Sequence, residues 1–76
     1  MNKEENDKAI AEFSQIITLD PEYLGAYFLR GLAYNAKGDK ENARKDLTYF
    51  VERTQDPELK KKANEVLQGL DATPTP

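Results

Sequence analysis

The stretch Tyr27–Leu47, YFLRGLAYNAKGDKENARKDL, decides the fold. It reads as two helices joined at Lys37-Gly38-Asp39. Gly38 ends the first of them in the manner of a left-handed cap, because glycine carries no Cβ to clash there. Asp39 stands where its carboxylate can accept from a free amide of the next first turn. Small residues, Gly31 on one helix and Ala43 on the other, stand where the two would touch.

Upstream, the apolar residues Ala9, Ile10, Phe13, Ile16, Ile17 and Leu19 keep to one broad helical stripe, which predicts a helix over 5–19. Glu4, Glu5 and Asp7 fall in or near its first turn, where the helix dipole favours negative charge. Residues 1–3 are expected to fray. Asp20-Pro21 reads as a stop followed by a new start, with Asp20 as cap and Pro21 at the first helical position. The second helix is then expected over 21–36 and the third over 40–54. The second is apolar on most of its circumference and should be contacted on more than one side. Asp56-Pro57-Glu58 repeats the Asp20-Pro21-Glu22 tripeptide and opens a fourth helix over 57–70, with Leu59, Ala63, Val66, Leu67 and Leu70 on its buried side. The tail 71–76 reads as a disordered linker. The expected fold is thus all-α, with residues 1–70 as one domain of four antiparallel helices.

Composition narrows the function. The 76 residues contain no cysteine and no histidine, which removes disulfides, thiolate chemistry and the commonest general base and metal ligand. Carboxylates are plentiful, but they fall on caps and outer helix faces. A working acid–base pair needs contrasting environments that drive its two pKa values apart. The four glycines are scattered and form no phosphate loop. No catalytic, cofactor or metal site is therefore expected. The net charge of −3 argues against nucleic acid, which calls for a basic face. No apolar run reaches the length of a membrane span, and the charged start MNKEENDK lacks the apolar centre of an export signal. A cytoplasmic location is the expectation, with an upstream export signal left open.

An internal period accompanies these elements. Ala9 and Ala43 are 34 residues apart, as are Phe13 and Leu47, Ile16 and Phe50, and Ile17 and Val51. Helix–turn–helix content at that period, with Tyr27, Arg30-Gly31, Tyr34, Ala43 and Leu47 in phase and Pro21 twelve residues after Ala9, resembles the tetratricopeptide repeat. Arg30 stands where the pattern has leucine, Leu47 where it has an aromatic, and Gln55 where it has proline; Pro57 comes two residues late. The resemblance implies a helix–turn–helix solenoid: one full repeat over 21–55, a preceding second-helix half over 5–19, and a capping helix over 57–70. It also implies that Gly31 and Ala43 face each other at the crossing, where large side chains would force the axes apart.

The resemblance further implies a non-catalytic module that binds a peptide or helix of a partner protein. In such repeats the first helices line a concave groove, and the matching positions are Phe28, Leu32 and Asn35 on the second helix and Lys61, Asn64 and Gln68 on the fourth. Some relatives clamp a C-terminal carboxylate with lysine and asparagine; Phe28 and Leu32 stand where that clamp needs polar groups, so the likeness does not extend to it. Phe28 and Leu32 either line an apolar groove suited to an amphipathic helix or are covered by the first or the fourth helix. The unpaired first helix also allows a second reading, self-assembly into a two-fold dimer.

Overall fold

A computed structural model describes residues 3–71 of the chain. Four helices follow one another: α1 (Lys3–Leu19), α2 (Leu24–Lys37), α3 (Lys40–Arg53) and α4 (Pro57–Asp71). Among the described residues there is no strand. Each helix packs chiefly on its neighbours in sequence, α1 on α2, α2 on α3 and α3 on α4, which is the layout of a solenoid.

Helix boundaries follow from capping, and two differ from expectation. Lys3 already belongs to α1, while residues 1–2, the rest of the expected frayed end, lie outside the described region. Helix α2 begins at Leu24 rather than Pro21. Asp20, Pro21, Glu22 and Tyr23 close a tight turn instead, in which the Tyr23 amide donates to the Asp20 carbonyl at 3.1 Å and the Glu22 amide to the Asp20 carboxylate at 3.2 Å. Tyr23 then takes an extended conformation and supplies no side-chain cap. The second tripeptide behaves as expected. The amides of Glu58 and Leu59 donate to the Asp56 carboxylate at 3.0 and 3.2 Å, and α4 starts at Pro57. The two extra residues before Pro57 are absorbed in an extended link that begins at Thr54, just after α3. Helix α4 runs through Asp71; the remainder of the expected linker, 72–76, lies outside the described residues.

The turn between α2 and α3 matches its reading. Gly38 has φ 98°, and its amide and that of Asp39 donate back to the carbonyls of Asn35 and Tyr34. Asp39 accepts from the Asn42 amide at 3.2 Å and from its side chain at 2.7 Å, which together hold the Asp39 carboxyl below its usual range.

The core lies between α2, α3 and α4. Phe28, Ala43, Leu47, Phe50, Ala63 and Leu70 form its buried cluster, with Tyr27, Tyr34, Val66 and Leu67 packed against it. The close approach of α2 to α3 falls at Gly31, but the nearest atoms belong to Leu47 rather than Ala43: a Cβ at Gly31 would meet Leu47 Cγ at 2.8 Å. Ala43 is itself fully buried. Helix α1 contributes no residue to this cluster; among its described side chains Asn6 alone is buried, and its apolar stripe is only partly covered by α2.

Candidate interaction site

Three polar groups from three helices meet at Arg30. Its Nε and Nη2 donate to the two Asp46 carboxylate oxygens at 2.7 and 2.8 Å, and Nη1 donates to Ser14 Oγ at 3.1 Å. A two-pronged pair of this kind fixes orientation as well as adding energy. The guanidinium also lies 5.6 Å from the Tyr27 ring centre and 5.8 Å from that of Tyr34, within cation–π range. The Asp46 bonds raise the Arg30 pKa above its ordinary value, against the opposing effect of burial. The network ties α1, α2 and α3 together at the place where the repeat pattern has leucine. Sequence reasoning missed it, although one signal was present: an arginine at a position that should be apolar needs a buried acid, and Asp46 sits on the inner side of α3 beside Leu47.

Next to it, Tyr27 stacks on Tyr49 with ring centres 4.2 Å apart, and the Arg53 guanidinium lies 3.7 Å above Tyr49. Burial, with a hydrogen bond between the two phenols, raises the Tyr27 pKa. At the far end of α1, Lys37 Nζ meets the Asp7 carboxylate at 2.6 Å. That pair fixes the antiparallel register of α1 and α2 together with the Ser14–Arg30 contact.

The six residues expected to bind a partner fall in different surroundings. Phe28 is 9% exposed, with its ring centre 5.0 Å from that of Phe50, and belongs to the core. Phe28 is covered rather than open, but its ring packs on Phe50 of the third helix, in the cluster that also holds Ala63 and Leu70 of α4, and it is therefore removed from the open surface. Leu32 is half-buried against the same core. Asn35 is exposed at the end of α2. Lys61, Asn64 and Gln68 are exposed and line, with Pro57, Lys60 and Glu65, a shallow depression of about 480 Å³ along α4. Sequence reasoning left Lys60 and Glu65 out of this group, although their helical spacing places them on the same face.

The fold and its surfaces define an all-α helical-repeat protein. Residues 24–56 match the family model of the tetratricopeptide repeat, and the chain carries such a repeat over α2 and α3. No curated protein and no solved structure gave a match to the chain. Proteins built from this repeat are generally non-catalytic modules for protein–protein interaction, and a protein partner follows as the coarse functional statement. Among the described residues no helix is long and apolar enough to cross a membrane.

Proposed function

We propose that the chain captures a peptide or helix of a partner protein on the face that carries Leu32 and Asn35 on α2 and Lys61, Asn64 and Gln68 on α4. In this reading α2 and α3 are the full repeat, α1 is the second helix of a preceding unit and α4 is a capping helix. The observation that supports it is the open depression along α4, which carries three of these five side chains. With Phe28 withdrawn into the core, the face is more polar than the sequence suggests. Lys60 and Lys61 favour a partner segment that brings carboxylates, and Asn64 and Gln68 can donate to and accept from an extended backbone. The site involves binding and no bond chemistry.

Lys61→Glu combined with Asn64→Ala tests this reading. Both side chains are exposed, so the circular-dichroism melt is expected to stay unchanged while proteins captured by the wild-type chain from its native cell extract are lost about tenfold or more. Undiminished capture by the double variant would contradict the proposal. A second reading, assembly of two copies through α1, draws on the exposure of Ile16 at 37% and Leu19 at 85%. Sedimentation of the intact chain at micromolar concentration separates the two.

A further inference from the structure

Helix α1 repeats, 34 residues earlier, the face with which α3 holds α2. On α3 that face is Ala43, Asp46, Leu47 and Phe50. Asp46 takes the Arg30 guanidinium, Leu47 fills the space opposite Gly31, and Phe50 packs on Phe28. The same positions on α1 are Ala9, Glu12, Phe13 and Ile16. Helix α2, which meets α1 along Asp7 and Ser14, covers this side only in part: Ala9 and Phe13 are half-buried, while Glu12 and Ile16 are exposed. Glu12 is exposed and makes no ion pair or hydrogen bond among the described residues, and Ile16 is 37% exposed where its counterpart Phe50 is 2% exposed. Charge and apolar surface are both in place for a helix that the described chain does not supply.

We propose that this face of α1 docks a helix of another polypeptide that carries an arginine directly before a small residue, with an aromatic three residues to either side of that pair. This is the pattern of α2 itself: Tyr27, Arg30-Gly31, Tyr34. The incoming arginine pairs with Glu12, the small residue seats over Phe13, and an apolar side chain two residues before the arginine covers Ile16. The surface lies on α1 and shares no residue with the α4 depression, so the two proposals stand independently. Charge argues against a second copy of this chain as the occupant. Antiparallel pairing of two α1 helices about their midpoint brings Glu12 against its symmetry mate, and residues 1–26 carry six carboxylates against two lysines. An arginine-bearing helix meets that field with the opposite sign.

The test uses the intact chain and one probe, a soluble labelled peptide with the sequence of residues 21–37. Titration is read by fluorescence anisotropy and by amide shifts. The expected result is saturable binding with shifts centred on Ala9, Glu12 and Ile16, weakened about tenfold by Glu12→Arg. A probe carrying Arg30→Glu should bind the Glu12→Arg chain better than the wild-type chain, a charge swap that general loss of structure would not produce. Absence of saturation up to about millimolar probe, a scale at which even weak helix–groove contacts register, overturns the proposal. So do shifts confined to α2, α3 and α4, or equal affinities across the charge swap. A concentration-dependent dimer abolished by Ile16→Asp gives the face to a second copy and likewise overturns it.

Discussion

Helices α1 and α3 carry one pattern, 34 residues apart, in two environments. Ala43, Leu47 and Phe50 are exposed by 0, 0 and 2%, whereas Ala9 and Phe13 are half-buried and Ile16 is open to solvent at 37%. Asp46 holds an arginine, whereas Glu12 has no such partner among the described residues. The side chains are of the same class, so the difference comes from the neighbours. Helix α3 lies between α2 and α4, while α1 has a described neighbour on one side only. In a chain of stacked helices, burial is set by which layers are present as much as by the residues themselves.

That contrast is broken most directly by truncating matched positions. Leu47→Ala removes a fully buried side chain and is expected to cost about 2–5 kcal/mol, enough to unfold a domain of this size. Phe13→Ala, at the matching place on α1, is expected to cost less than half as much. Denaturant melts of the two variants give the answer; equal losses would mean that α1 is as well covered as α3. The paired acids come next. Asp46→Ala leaves Arg30 with only Ser14 as a hydrogen-bond partner and is expected to cost about 1–3 kcal/mol, softened because the arginine keeps some access to water. Glu12→Ala, at an exposed position with no ion pair among the described residues, should stay within about 0.5 kcal/mol of wild type. A similar shift in both melts would remove the distinction between a filled and an open acid position.

A second matched pair shows where sequence reading stopped short. Asp20-Pro21-Glu22 and Asp56-Pro57-Glu58 are identical tripeptides, yet the first closes a turn and the second opens a helix. Their downstream neighbours differ. Glu58 is followed by Leu59 and three lysines, all compatible with a helix, whereas Glu22 is followed by Tyr23, Leu24 and Gly25. The Tyr23 ring folds back over Gly25, to within 2.7 Å of where a Cβ would stand, and Tyr23 is itself extended just before Leu24. Capping loss should follow suit, with an effect below that of Asp46→Ala. Asp56→Ala is expected to lower stability by about 1 kcal/mol in a thermal melt, and Asp20→Ala by a few tenths. A larger loss at Asp20 would mean that its turn, rather than the cap at Asp56, carries more of the solenoid's stability.

The four helices, the glycine turn at Gly38 and the core set of Ala43, Leu47, Phe50, Ala63 and Leu70 were legible because local signals agree there: period, cap and small residue point to one answer. The candidate surfaces were less so. Exposure of Phe28 depended on what covers the second helix, a tertiary matter, and α3 turned out to cover it through Phe50. Arg30 looked like a departure from a pattern because its partners, Asp46 and Ser14, lie sixteen residues away on either side. The close approach at Gly31 was placed correctly on α2 but one turn early on α3, where Leu47 and not Ala43 supplies the nearest atoms.

Native-state hydrogen exchange of the intact chain compares the two helices amide by amide. Amides over residues 43–51 are expected to exchange only through opening of the whole domain, and those over 9–17 about tenfold faster or more through separate opening of α1. Equal protection along both stretches would show α1 to be as firmly held as α3, and would contradict the claim that its outer face stands open.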